Sequence, residues 1–410
     1  MRASGRLALV IGGASVGSVG WGAVLPFLYA DVAQARGLGG SVAALTFTAF
    51  ALGALVAAPV AGRLADRLSP GLVATGARLG MVLSLLGLTL ADRPLPLWTA
   101  AFAYGAGYAV VQPAVSVLVL ELTPSHRRRD AFAAQFIGLN LGLAAGGLVG
   151  GWLVDLSSPT GARPAYLFAA AASALSAVVI ALAGRGAGRS AVPVDEPAES
   201  VGYREVLRAP GVRWLLAVTV LLTLACYAQY DSGLPSYALT VLHVAPATLG
   251  SAVAINSVLV ALLTAPVVRG TRSASPARLL ALCAALWVGV WLVFAVPLAV
   301  RGHAAGFVLL GYALFSVGET MLAPVLSPLA ATLAPAGAVG RTLAALNGAQ
   351  TLATAVGPGL AAALLGAGLP AGFIALEVLA CLGALAGTRR LGRVLGRRPD
   401  PQASPAGVAV

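Results

Sequence analysis

Long apolar runs broken by short polar intervals fill this chain from end to end. A helix must present about 20 apolar residues to cross the hydrocarbon of a bilayer. Twelve runs qualify, at 7–30, 41–62, 71–91, 96–120, 131–155, 164–184, 212–237, 247–268, 278–300, 304–331, 341–366 and 370–388. The first is not read as a cleaved leader, because it is too long and a second span follows without a cleavage-like site. The longest polar interval, 185–210, mixes glycine, proline and both charge signs and divides the runs six and six. The expected organisation is a six-helix bundle over 1–184, a cytoplasmic linker over 185–210, a second bundle over 211–388 and an irregular tail over 389–410. Within the linker, Tyr203 to Leu207 suits a short amphipathic helix.

The two halves repeat one another. At an offset of 211, Gly107, Pro113, Ser116 and Pro124 of span four recur as Gly318, Pro324, Ser327 and Pro335 of span ten, and Gly146 recurs as Gly357. Leu25-Pro26 returns as Leu234-Pro235, and Pro59-Val60 and Pro70 return as Pro266-Val267 and Pro276. Ordered matches of this kind indicate a duplicated six-helix unit. The expected fold is therefore an all-α membrane protein of twelve transmembrane helices in two pseudo-symmetric bundles. Parallel halves of this kind enclose a cavity near the midplane that opens to each side in turn.

Composition narrows the class. Of 410 residues, 59% are hydrophobic and 10% charged, where a soluble domain carries about 25% charge. The net charge of +12 rests on 26 arginines and no lysine. Their placement argues for topology and against nucleic acid. Twenty-one fall on one side of the predicted spans; Arg36, Arg93, Arg163 and Arg301 fall on the other, and Arg78 lies inside span three. The excess of arginine predicts that both termini face the cytoplasm. Cys226, Cys283 and Cys381 are scattered through apolar runs, and His126, His243 and His303 sit in predicted loops. Neither a disulfide framework, a metal site nor a cofactor is expected.

After span two the chain reads Gly62-Arg63-Leu64-Ala65-Asp66-Arg67-Leu68-Ser69-Pro70. Glycine there lets two helices cross closely, and Asp66 can cap a helix or pair with an arginine at a gate. This resembles the G-x-L-A-D-R signature of the major facilitator superfamily, with Ser69-Pro70-Gly71-Leu72 replacing its further basic residues. Gly20-Trp21-Gly22-Ala23-Val24-Leu25-Pro26 resembles a motif of twelve-span drug/proton antiporters. The run Gly142 to Gly151 resembles their G-x-x-x-G-P-x-x-G-G motif, with Gly147 in place of proline. Their span-four arginine, in R-x-x-Q-G, falls on Ala101 when Gly105 takes the place of the glycine. The resemblance implies a cavity lined by spans one, four, seven and ten.

Ionisable groups within a bilayer cost about 2.5–3.5 kcal/mol each and call for a reason. Glu319 in span ten is the leading proton or cation site, with Asp231 in span seven second. Gly62, Asp66 and Arg67 are the gate motif. Trp21, Tyr104, Tyr108, Gln112, Asn140, Tyr227, Tyr230, Asn256 and Gln350 are candidate cavity residues, with Gln135, Gln229 and Asn347 beside them. Arg78 is expected to snorkel to the interface, and Glu377 and Asp155 to be structural or interfacial.

The function expected is proton-coupled export of small amphipathic compounds, such as drugs or secondary metabolites. Import or facilitated diffusion of a nutrient is the alternative. A membrane-embedded enzyme is remote, because no H-E-x-x-H, no G-x-S-x-G and no histidine within a span is found. The expected setting is a bacterial inner (plasma) membrane, with a monomeric multi-pass protein in contact with lipid, protons and a small-molecule substrate.

Overall fold

The computed structural model describes residues 3–124, 127–184, 203–271, 274–300, 302–335 and 338–396, without the side chains of 3–4, 58–67, 128–130, 203, 323–324, 339–340 and 396. The first six spans are α1 (Ala3–Ala30), α2 (Gly40–Arg67), α3 (Pro70–Leu90), α4 (Pro94–Glu121), α5 (Arg128–Leu153) and α6 (Arg163–Gly184). A short α7 (Tyr203–Arg208) precedes the second half, as expected near Tyr203. Span seven is divided into α8 (Pro210–Ala225) and α9 (Leu234–Ser236), with π-helical turns at Gln229–Gly233 and Tyr237–Val241. Spans eight to twelve are α10 (Pro246–Gly270), α11 (Pro276–Ala299), α12 (Ala304–Leu333), α13 (Val339–Gly366) and α14 (Pro370–Gly396). Twelve helices among the described residues are long and apolar enough to cross a membrane. α14 passes the predicted edge at 388 and runs to Gly396, so the start of the tail is helical.

Local chemistry sets several helix starts. Proline opens α3, α4, α8, α10 and α11, where its missing N–H has no helical partner to lose. Ser69 and Ser275 cap α3 and α11 by accepting from Leu72 N (3.4 Å) and Arg278 N (3.3 Å). The same Ser-Pro start thus serves the third span of each half.

Packing repeats as the sequence does. In the first half α1 packs on α5 and α6, α4 on α2 and α3, and α3 on α6. In the second, α8 packs on α13 and α14, α12 on α10 and α11, and α11 on α14. Two reciprocal seams join the halves, α5 against α10 and α2 against α13.

The glycines of α5 explain both kinds of contact. Gly142, Gly146 and Gly150 recur every four residues and so share one face. A Cβ on any of them would strike the α1 backbone, at Ser15, Val19 and Ala23 respectively. Gly147 and Gly151 form a second row on the adjoining face, against α10. A Cβ at Gly151 would stand 2.9 Å from the Pro246 carbonyl oxygen, and one at Gly147 3.2 Å from that of Gly250. Lipid gives helices no hydrophobic reason to associate, so close backbone approach between small residues supplies the packing.

These seam contacts lie toward the arginine-poor ends of the helices. Thr48 of α2, whose hydroxyl lies 3.5 Å from the Ala355 carbonyl of α13, is on the same side. At that end a buried ion pair ties the first half together. Arg36 meets Asp31 at 2.8 Å, with side chains 6% and 1% exposed. The Tyr166 hydroxyl donates to Asp31 (2.8 Å), and the Arg36 guanidinium donates to the Leu88 (2.9 Å) and Ala91 (2.7 Å) carbonyls at the end of α3. Those are among the carbonyls a helix leaves without partners at its C-terminus.

Gly250 sits where the seam is tightest, its Cα facing the Gly147 backbone. Gly250→Val is expected to wedge the halves apart at the arginine-poor end while each bundle stays folded. Cysteines placed on α5 and α10 beside the seam should then react faster with a water-soluble maleimide. Unchanged labelling in a folded variant would show that this contact does not set the closure.

Candidate functional site

Span seven stops being regular where the candidate residues begin. Cys226 leaves the helical region (φ −118°, ψ −87°), ending α8 at Ala225. Broken helices are tolerated at membrane depth when the freed backbone groups find partners. Here the Trp291 indole N–H donates to the Ala225 carbonyl at 3.0 Å. The following π-helical turn holds Gln229, Tyr230 and Asp231, and such turns are frequent at functional sites. Within it Gln229, Ser232 and Gly233 are buried, while Tyr227, Tyr230 and Asp231 retain partial exposure on one side.

That side meets α10 and α12. Tyr230 stacks on Phe315 (centroids 5.7 Å apart, 28° between planes) and lies tilted against Tyr312 at 5.5 Å. Ser257 lies beside its hydroxyl. Glu319 is partly exposed between buried Gly318 and Thr320. Asn256 lies beside its carboxyl and donates to the Tyr312 carbonyl at 3.4 Å. Asp231 lies within electrostatic reach of Glu319, and Glu319 within reach of Tyr227. Two acids 88 positions apart in the sequence thus share one wall.

The first half presents an aromatic wall. Trp21 stacks on Phe50 (5.1 Å), Tyr104 (5.2 Å, 7°) and Tyr108 (5.4 Å). Tyr108 and Gln112 lie side by side, and Tyr108 is within electrostatic reach of Asp231 in the other half. Ala101 lines a small apolar pocket with Trp21, Phe50, Leu85 and Tyr104. The position matching the antiporter arginine therefore has an apolar lining.

Other candidates stand apart. Asn140 turns back on its own helix, donating to the Phe136 carbonyl at 3.0 Å. Gln350 is partly exposed on α13. Gly62, Asp66 and Arg67 occupy the last turns of α2, where side chains lie outside the described residues. Asp155 is exposed beyond α5; bonds from the Ser157 hydroxyl (2.7 Å) and N–H (2.9 Å) hold its carboxyl below the usual range.

Arg78 does not snorkel. It is 5% exposed, and its guanidinium fills the space that Gly17 of α1 leaves open. Leu72, Leu79, Leu83, Leu86 and Leu90 are the exposed large hydrophobic residues of α3, whereas Ala74, Met81, Leu85 and Leu88 share the buried side with Arg78. That leucine stripe is visible in the sequence and marks the lipid face. Glu377 is not interfacial either. It is 0% exposed on α14, facing Gln229, and neither carboxyl oxygen makes a close hydrogen bond. The Asp31–Arg36 pair, Ser257, Tyr312 and Phe315 were not singled out from the sequence.

A family model described as Major Facilitator Superfamily matches residues 10–311. The chain is 27% identical over 184 residues to "Multidrug resistance protein MdtG" of Enterobacter lignolyticus, covering 43% of each. It is 27% identical over 156 residues to "Quinolone resistance protein NorA" of Staphylococcus aureus, covering 38% of each. The matched stretch thus spans less than half the length of these curated relatives. Among solved structures, an auto-inhibited POT family peptide transporter superposes with a TM-score of 0.74 at 16% identity, covering 98% of this chain and 99% of that one. A sulfate-bound mutant of a POT peptide transporter gives 0.76 at 17%, covering 95% and 94%. At such identities the likeness speaks for the fold.

The Trp291 bond to the broken helix can be separated from simple loss of volume. Trp287 is equally buried, and its N–H points at Phe315 O, 3.4 Å away within an intact helix. Trp291→Phe strands the Ala225 carbonyl, so it should cost about 1 kcal/mol or more beyond Trp287→Phe. Thermal denaturation of the purified protein checks this, and equal losses would refute the assigned role.

Proposed function

The chain belongs to the Major Facilitator Superfamily, and from that premise we propose that it is a secondary active transporter exporting small amphipathic organic compounds in exchange for protons. The convergence of Asp231 and Glu319 on one wall, opposite the Trp21 aromatic wall, is the observation that supports this reading most. Aromatic faces take flat apolar bodies without demanding one hydrogen-bond pattern. A pair of carboxyls in a confined site can hold a proton in one state and release it in another. Both relatives named above are resistance proteins by title, which agrees with this class of cargo.

The arginine-rich face is assigned to the cytoplasm by the positive-inside rule. The tight α5–α10 contacts at Gly147, Gly151 and Gly250 then lie toward the outside. Closure there is the state in which an exporter takes its cargo from the cytoplasm and an importer releases it. Glu319 is the principal proton site and Asp231 its partner. Gly62, Asp66 and Arg67 are assigned to the cytoplasmic gate. Export moves an apolar body with a polar end from one aqueous side to the other by rocking the halves about the glycine seam.

A second reading, import or facilitated diffusion, is favoured by one feature. Ala101 stands where similar antiporters carry an arginine.

Inside-out vesicles acidified within, carrying a luminal pH dye, discriminate between these readings. Amphipathic compounds added outside should release luminal protons with the wild type. Glu319→Gln should abolish that release at unchanged expression, and Asp231→Asn should weaken it. Full coupling in Glu319→Gln would remove the proton assignment, and silence across a broad panel would move the case to import.

A further inference from the structure

Glu377 is a buried acid that the transport reading does not use. It lies inside the last span, seven positions after the Pro370 that opens α14. Leu379 and Leu382 mark the lipid side of that helix, and Phe373, Cys381 and Ala384 share the buried side with Glu377. The carboxyl is 0% exposed, and neither of its oxygens has a hydrogen-bond partner. Beside it lies the Gln229 amide, carried by the broken turn of span seven. A Cβ at Gly233 would strike both that amide and, at 2.9 Å, the Phe373 ring. Phe373 stands one helical turn before Glu377 on the same face. Gln229 Nε2 points at the Gly357 carbonyl of α13, 3.5 Å away, while its Oε1 is buried without a partner. Three acceptor oxygens thus meet here without a donor, where buried polar atoms are ordinarily satisfied.

No cation stands close enough to balance an ionised carboxylate. α14 packs on α8, α11 and α13, whose arginines Arg213, Arg278 and Arg341 all sit in the first turns, at the arginine-rich ends. Arg389, the first arginine of α14, is twelve residues away, about 18 Å along the helix. The titratable groups around Glu377 are Cys381 on its own helix, Cys226 and Tyr237 of span seven and Cys283 of α11. None of them carries a positive charge, and α13 presents the backbone of Gly357. An isolated carboxylate out of water is so costly that the group takes up a proton instead. A neutral acid also supplies an O–H, the donor that the three oxygens lack. We propose that Glu377 is a proton-binding site separate from Asp231 and Glu319, whose proton latches α14 to the broken turn of span seven by donating to the Gln229 amide oxygen. Loss of the proton sets a negative charge among acceptor oxygens, releases Gln229 and loosens the turn. Asp231 leaves that same turn on its other side, so the latch bears on the direction in which Asp231 is held. The site requires neither a particular cargo nor a direction of transport.

Infrared difference spectroscopy of the purified protein reads the proton directly. Wild type minus Glu377→Gln, recorded at about pH 7, should show one neutral-carboxyl C=O band, although a glutamate in water has a pKa of about 4.3 and is ionised there. Ionised-carboxylate bands in that difference would overturn the proposal. Hydrogen exchange of the backbone at 226–233, divided by the intrinsic rate at each pH, reads the latch. As pH is raised to about 9, wild-type exchange should climb severalfold in step with loss of the band, because opening follows the protons released. Glu377→Gln is neutral at every pH and should stay flat. Asp231 and Glu319 titrate in both proteins and cancel from the comparison. Identical pH profiles in the two proteins would overturn the latch. If Glu377→Gln does not fold, Gln229→Leu keeps the acid and removes its acceptor. The neutral band should then move to higher frequency, and a spectrum unchanged from wild type would count against the proposal. Neither measurement involves cargo or a gradient, so a failure here is distinct from a failure of the export reading in vesicles.

Discussion

The fold depends on backbone-to-backbone contact along α5. In water, burial of apolar surface would hold twelve such helices together, but in lipid the tails outside are as apolar as the side chains within. Close approach is what remains, and glycine permits it. Gly142, Gly146 and Gly150 press one face of α5 onto α1 inside the first bundle, while Gly147 and Gly151 press the neighbouring face onto α10 of the second. One helix thus belongs to a rigid body and to the seam between bodies. A proline at 147, as in the antiporter pattern, would remove an N–H and bend the helix there. Glycine leaves the seam straight and smooth.

Against this small-residue frame, the irregular backbone of span seven has a purpose. Breaking span seven at Cys226 frees a carbonyl, which Trp291 satisfies, and the π-helical turn that follows aims Tyr230 and Asp231 to one side and Gln229 to the other. The two sides are chemically different. Asp231 keeps company with partly exposed groups, whereas Gln229 reaches the buried Glu377 and, at 3.5 Å, the Gly357 carbonyl. Gly357 is the counterpart of Gly146 in the internal repeat. Its bare backbone receives Ala228 and Gln229 just as Gly146 receives Val19 and Ala23. The repeat therefore conserves a packing device while each half loads it with its own polar chemistry.

Span number and the recurrence of Pro70 as Pro276 at a helix start were legible because they depend on hydropathy and short-range signals. So were the two acids, since charge inside an apolar run is conspicuous. Partners across the fold were not legible: nothing in the sequence links Gln229 to Glu377, or Asp31 to Tyr166, 135 positions away. The helix in the tail was missed because arginines at 389, 390 and 393 were read as ending a span, whereas they also suit a helix leaving the membrane. Arg78 was misjudged for a different reason. Distance to the interface was weighed and direction was not. The leucines at 72, 79, 83, 86 and 90 trace the lipid side of α3 at helical spacing, and Arg78 lies off that stripe.

That correction changes the meaning of Ala101. Taken alone, the missing span-four arginine suggests a first half without fixed positive charge. The structure places a cation there by another route, from α3 through the notch at Gly17, while Ala101 joins Leu85 and Trp21 around an apolar pocket. An arginine at 101 would have to displace that apolar lining, with a second cation already buried close by among Tyr104 and Tyr108. Two unpaired guanidinium groups in one bundle would repel each other at low dielectric. The alanine at 101 and the arginine at 78 are therefore consistent with one unpaired buried guanidinium among the described residues of the first half.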